Sequence, residues 1–213
     1  MNIKRILMSL IGVVITAISV GLFKLAAFGV DPFQAFMAGL DQLIPIDFGT
    51  LYMLANAVLL LFALVFDRHY IGIATFINLF LLGYITDFSY RFFQSVFVSP
   101  SFLVRIVCLL VGIVVLTFGA SLYITADLGV STYDAIALII AHTWKKGEFQ
   151  YVRIGSDFVC VLLGILLFLV GKGDIKNVPT FVGIGTIITA FFMGPLIEFF
   201  AAHIARPLLK KEA

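Results

Sequence analysis

The 213-residue chain is 62% hydrophobic and only 12% charged, with 23 Phe and a net charge of +2, and its mean hydropathy is +1.15. Soluble domains carry about 25% charge, so an ordinary soluble globule is excluded. A net charge this small gives no electrostatic footprint for nucleic acid.

A bilayer crossing takes about 20 mostly apolar residues. In chain order, such runs are expected at Ile6–Phe28, Gly49–Phe66, Tyr70–Phe92, Phe102–Ala126, Tyr151–Val170 and Val178–Ile204. The fold class is therefore an all-α membrane protein with six long transmembrane helices, in a single membrane domain over residues 1–213. The first run follows Lys4 and Arg5 as a signal peptide would, but its core is long and no small-x-small cleavage site follows. Cys108 and Cys160 fall inside apolar runs as small packing residues, and neither a metal spacing nor a disulfide framework is expected. No cofactor is expected either.

After the first run comes Gly29-Val30-Asp31-Pro32-Phe33-Gln34. Asp31 is a strong helix N-cap, Pro32 suits the first helical position, and Gln34 completes a capping box of the D-x-x-Q type. Gly129-Val130-Ser131-Thr132-Tyr133-Asp134 has the same shape, with an acid that complements the positive helix end. Both places start a new helix just after a Gly able to end the previous one. The new helices are expected over Pro32–Leu43 and Thr132–Trp144. At 1.5 Å per residue each is about 18–20 Å long, short of a ~30 Å core, so broken or re-entrant helices are expected. Such backbone must be buried in protein or line a wet cavity.

The two stretches belong to an internal repeat. Arg5–Val30 lies over Arg105–Val130 without a gap, matching Arg5 to Arg105, Gly12 to Gly112 and Gly29 to Gly129. Asn56 lies over Asp157 one residue out of step. Gly72–Phe88 lies over Gly183–Phe199, matching Thr75 to Thr186, Gly83 to Gly194 and Asp87 to Glu198. The repeats span about 5–93 and 105–204. With three crossings each, the halves are inverted about an axis in the membrane plane, a plan shared by many transporters. Charge bias slightly favours four crossings per half and helix length favours three; three plus a half-helix is the expected arrangement. The basic ends then leave both termini cytoplasmic, in a bacterial cytoplasmic (inner) membrane.

Ionisable groups in membranes mark a pathway or a pairing. Asp31 and Asp134 serve either as pure caps or as a cavity-lining pair. Asp157 is costly unless paired, and Arg153, four residues earlier, is a ready partner; a proton or cation site is the alternative. Asp87 and Glu198 sit near span ends, interfacial or paired with Lys24 or Arg153. Lys24 snorkels or faces an anionic substrate. Asp127 breaks the symmetry and could mark the side that binds an ion. Gly12, Gly112, Gly83 and Gly194 read as close helix contacts, and Phe88, Phe92, Phe93 and Trp144 as interfacial anchors. His69, His142 and His203 lie unmatched near span ends.

At GVSTYDAI (Gly129–Ile136) and GIGTIITAFFMGPLIEFF (Gly183–Phe200) the chain resembles the YczE/YitT-like group of bacterial membrane proteins. That group shows a Gly-Val-Ser-Pro-x-Asp-like turn and a Gly-x-Gly-Thr…Gly-Pro-x-x-[Asp/Glu] segment. Here Thr132 stands in place of the Pro, which occurs instead in the first half at Pro32. The resemblance covers nearly the whole chain and implies no particular activity.

The expected function is a secondary transporter of a small solute or ion, and not an enzyme, since no nucleophile–base pair, phosphate loop or zinc motif is present. The site is expected where the short helices start, near mid-membrane, from Asp31, Gln34, Ser131, Tyr133 and Asp134, then Asn56 and Asp157, then Asp87 and Glu198. Free N–H groups at the helix starts suit an anion or carboxylate. The expected partners are the substrate, the lipid bilayer, and a second copy of the chain or a membrane partner protein. The alternative is a non-transporting accessory, sensor or substrate-binding subunit of a larger complex. A transporter needs a solvent-reachable polar cavity at the paired helix starts; a scaffold has them closed by packing.

Overall fold

In the computed structural model, which describes residues 3–210, the apolar runs become helices, the form that satisfies every backbone group within the segment. They are α1 (Ile3–Ala26), α2 (Pro32–Leu43), α3 (Phe48–Phe66), α4 (Ile73–Val96), α5 (Phe102–Ala126), α6 (Thr132–Leu138), α7 (Phe149–Val170), α8 (Val178–Phe181), α9 (Ile184–Phe200) and α10 (Arg206–Lys210). No strand occurs among the described residues. Among the described residues, six stretches are long and apolar enough to cross a membrane: α1, α3, α4, α5, Tyr151–Val170 and the broken helical stretch Ile175–Lys210. The short helix α2 keeps its expected bounds. Its counterpart α6 continues as a π-helical turn, Ile139–Thr143, and Trp144 is the residue that closes it.

The α1 and α5 helices pack side by side and antiparallel. A Cβ on Gly12 would lie 2.7 Å from the Gly119 carbonyl oxygen, and one on Gly119 would lie 2.8 Å from the Thr16 nitrogen. The matched arginines each close the far end of the other helix. Arg105 donates from Nε to the Ala26 carbonyl at 2.7 Å and from Nη2 to the Ala27 carbonyl at 2.9 Å. Arg5 donates to the Ala126 carbonyl at 3.3 Å. A guanidinium at a helix C-terminus satisfies orphan carbonyls and complements the helix dipole. The residues that leave these helices in the left-handed conformation are Ala27 (φ 52°) and Asp127 (φ 53°), not the glycines two residues on.

Gly29 and Gly129 have a different task. Their φ values of +100° and +103° lie where side chains are strained. A Cβ would also lie 2.5 Å from the Gly183 nitrogen in one case and 2.4 Å from the Gly72 nitrogen in the other. The close approach lets the chain break of each half bond to the helix entry of the other. Gly29 and Val30 donate to the Thr180 and Phe181 carbonyls, and Gly185 donates to Phe28; Val130 donates to Tyr70, and Ala74 donates to Leu128. These extended links correct two expected boundaries. The helix expected from Tyr70 starts at Ile73, and the one expected from Val178 starts at Ile184 after the separate turn α8.

The short helices also cross over. The α2 helix packs on α7, where a Cβ on Gly39 would lie 2.2 Å from the Gly164 carbonyl oxygen, and α6 packs on α3. The matched rings Phe33 and Tyr133 stack on each other, with centroids 4.9 Å apart. The halves differ in one respect. In the first, α3 and α4 meet closely, and a Cβ on Gly83 would lie 2.7 Å from Tyr52 Cβ. In the second, Gly194 has nothing within 4 Å, so it is not the close contact expected of it, and Gly112 has only looser neighbours from 3.4 Å. The α9 helix follows α5 and leaves a space toward α7.

Candidate functional site

Both helix starts are capped from within. Asp31, in extended conformation before α2, accepts the Gln34 N–H on Oδ1 at 3.1 Å. The expected return bond from Gln34 is not formed. The Gln34 side chain is 4% exposed, and its Oε1 is buried without a hydrogen-bond partner. At the other start, Ser131 Oγ accepts the Asp134 N–H at 3.1 Å and donates to Asp134 Oδ2 at 2.6 Å. Tyr123 OH accepts the Ser131 N–H at 3.3 Å and donates to the same Oδ2 at 3.1 Å. Asp31 and Ser131 therefore each take up one N–H at a helix start, those of Gln34 and Asp134, which leaves fewer donors there for an anion.

The acids are organised around one cation. Arg153 donates from Nη1 to Asp134 Oδ1 and from Nε to Asp157 Oδ1 at 3.3 Å. Its guanidinium also lies over the Tyr133 ring, 4.3 Å from the centroid. Tyr133 OH in turn donates to Asp157 Oδ1 at 2.6 Å. A planar guanidinium with five donors can bridge two carboxylates and stack on a ring at once, which an ammonium cannot. On the other side, Thr132 donates to Asn56 Oδ1 at 2.5 Å, and Asn56 donates to the Tyr52 carbonyl at 2.8 Å.

All of these side chains but Thr132 line one cavity of about 730 Å³, bounded by both halves of the chain. It takes in Asp31, Gln34, Asn56, Ser131, Tyr133, Asp134 and Asp157, seven of the nine residues expected at a site. The Asp134 and Arg153 side chains keep 27% and 26% of their surface accessible. The space between α7 and α9 supplies the rest of the wall, from Thr189 to Ile197.

The other two expected residues lie elsewhere. Asp87 pairs with Arg91 at 2.9 Å, and Glu198 forms a bidentate pair with Arg206 at 2.7 and 2.9 Å. Neither lines the cavity; each pairs with a basic residue on its own helical stretch. Asp127 is 89% exposed at the side chain and lies 3.8 Å from Arg5. The Lys24 ammonium sits 3.1 Å over the Phe48 ring, a cation–π contact rather than a position facing a ligand.

Tyr52, Tyr123 and Asn78 also line the cavity and were not expected there. Tyr52 lies one helical turn before Asn56, on the same face. Asn78 lies over Thr189 in the repeat register, and both reach the cavity. A polar residue matched by a polar residue in two apolar helices was the available signal.

Residues 3–202 match a family of unknown function (DUF6198). The chain is 29% identical to an uncharacterized membrane protein, YczE of Bacillus subtilis (strain 168), over 88% of this chain and 81% of that one. It is 24% identical to an uncharacterized protein, YyaS of the same organism, over 94% of both chains. It is 26% identical to an uncharacterized protein of Haemophilus influenzae, over 95% of this chain and 86% of that one. No solved structure matches the chain. With a helical fold holding six membrane-length apolar stretches and a family match across nearly its whole length, the chain belongs to the DUF6198 family of YczE-like multi-pass membrane proteins.

Proposed function

We propose that this protein is a secondary transporter of a small solute or ion, with its site between two inverted repeats at the starts of α2 and α6. One observation carries the reading: a single cavity of about 730 Å³ joins both helix starts and holds Asp31, Asp134, Asp157 and Arg153. Buried ionisable groups facing a cavity in a membrane protein mark a solute or ion path, and a scaffold has no use for the space. Three membrane-length stretches per half give the halves opposite orientations, which the antiparallel α1–α5 pair and the exchanged links at Gly29 and Gly129 support. Six crossings put both termini on one side, and Lys4, Arg5, Arg206 and Lys210 make that side the cytoplasm of a bacterial inner membrane.

The asymmetry supplies a mechanism. The α3–α4 pair is closed at Gly83, while its counterpart α7–α9 is open at Gly194. Alternating access exchanges these arrangements: α9 closes on α7 while α4 leaves α3, and the site at the helix starts faces each side in turn. The cycle has no chemical step, so no residue is assigned a catalytic role.

The test is side-specific labelling. In a Cys108→Ala/Cys160→Ala background, Val130→Cys places a thiol on the cavity wall. In oriented proteoliposomes a membrane-impermeant maleimide is expected to reach it from either side. Protection from both sides contradicts transport and favours a sealed accessory protein.

A further inference from the structure

The charged groups on the cavity wall do not balance. Three carboxylates and one guanidinium line it, and no lysine does. Arg153 is committed to Asp134 and Asp157. Asp31 has no ion pair among the described residues; its carboxylate is met by neutral backbone N–H groups, those of Gln34 and Phe33. One turn along, Gln34 presents a 96% buried side chain to the same cavity (4% exposed), with Oε1 unpaired. A buried acceptor left unpaired costs about 1–3 kcal/mol, so this one calls for an explanation, and a ligand in the adjoining cavity supplies one.

The ligand that answers these observations is positively charged, carries N–H donors and has an apolar body. Positive charge meets Asp31, an N–H meets the Gln34 amide, and the Phe33 and Tyr52 rings provide cation–π and apolar surface. A bare metal ion is a poor match, because no three His, Cys, Asp or Glu groups converge on one point among the described residues, whereas hard cations need many oxygens. An anion meets a wall on which carboxylates outnumber the single guanidinium. We infer that Asp31 and Gln34 form the subsite for the ammonium end of a small organic cation, an inference that rests on the transport reading of the same cavity.

The experiment titrates the full chain in lipid nanodiscs by calorimetry with three probes of one shape: phenethylammonium, 2-phenylacetamide and phenylacetate. The ammonium is expected to bind at least tenfold more tightly than the other two. Asp31→Asn keeps a residue that caps helices well, so it removes charge while sparing the fold; it is expected to weaken the ammonium at least tenfold. Gln34→Met, similar in shape, is expected to weaken it severalfold. Phenylacetate binding as tightly as the ammonium, ammonium binding unchanged in Asp31→Asn, or no ammonium binding at all each overturns the subsite. Solid-supported-membrane currents separate the two claims. Asp31-dependent ammonium binding without any current keeps the subsite and overturns transport. A phenylacetate current that survives Asp31→Asn keeps transport and overturns the subsite.

Discussion

Replacing Arg105 by methionine removes a clamp on the end of α1 while keeping most of the side chain's apolar length. Two charge-assisted bonds disappear, at 2.7 and 2.9 Å to the Ala26 and Ala27 carbonyls, and each such bond contributes about 1.5–3 kcal/mol net. The cation–π contact with Phe28, at 4.6 Å, adds about 0.5–1 kcal/mol. The terms overlap, since one group makes all three contacts, and relaxation of the helix end recovers part. The expected loss is about 3 kcal/mol. Arg5→Met is expected to cost only about 1 kcal/mol, because Arg5 makes one 3.3 Å bond and a 3.8 Å ion pair whose side chains are 40% and 89% exposed, which contributes little. Arg105→Lys is expected to restore less than half of the loss, because an ammonium cannot bracket two carbonyls as the planar fork does. Reversible unfolding by SDS in mixed micelles measures all three variants. Equal costs for Arg5→Met and Arg105→Met, or full rescue by lysine, refute the clamp.

Other variants probe the remaining joints. Gly29→Ala combines a left-handed φ with a Cβ 2.5 Å from the Gly183 nitrogen and is expected to lose more than about 2 kcal/mol, whereas Gly194→Ala, with nothing within 4 Å, stays within about 1 kcal/mol of wild type; the same unfolding assay ranks them. Arg153→Met leaves Asp134 and Asp157 facing each other and is expected to cost about 2–4 kcal/mol, toward the lower part of the range for broken buried pairs because both partners keep some solvent access. Adding Asp157→Asn is expected to recover part of it, and a coupling under about 0.5 kcal/mol in the double-mutant cycle contradicts the pairing. In the loop after α3, the Asp67 carboxylate accepts the Thr143 hydroxyl at 2.6 Å and the His69 N–H at 3.0 Å, and these bonds, the hydroxyl first, hold its pKa below the usual carboxylate range. A depressed folded pKa contributes stability above the unfolded value of about 4 that is lost as pH falls through the folded value. Asp67→Asn is therefore expected to melt below wild type at pH 7, by a margin that narrows as pH falls below about 4; equal melting at pH 7 contradicts the contact.

The helices were legible because lipid makes a backbone satisfy itself locally, so an apolar run and a helix coincide. Asp31, Pro32 and Ser131 were legible for a related reason: capping acts within four residues. Arg153 with Asp157 followed from i,i+4 spacing. What the residues could not disclose were contacts made through the exchange between halves. Arg5 and Arg105 stood out as matched charges, yet their carbonyl partners lie 121 and 79 positions away. Asp87 and Glu198 matched in register and still fell outside the cavity, each paired with an arginine on its own helical stretch. Gly83 and Gly194 match too, but only one packs against a neighbour. Symmetry of sequence fixes equivalent positions, and a departure from symmetry in the fold is a packing outcome that no single half encodes.

The most direct measurement is flux. Purified protein in liposomes on a solid-supported membrane is challenged with jumps of small organic cations, amino acids and organic acids, wild type beside Asp134→Asn. Transport at the paired helix starts requires at least one solute to give a transient current that scales with protein density and falls at least tenfold in a folded Asp134→Asn variant. Wild-type liposomes that match protein-free ones for every solute, or a current that Asp134→Asn leaves intact, contradict it.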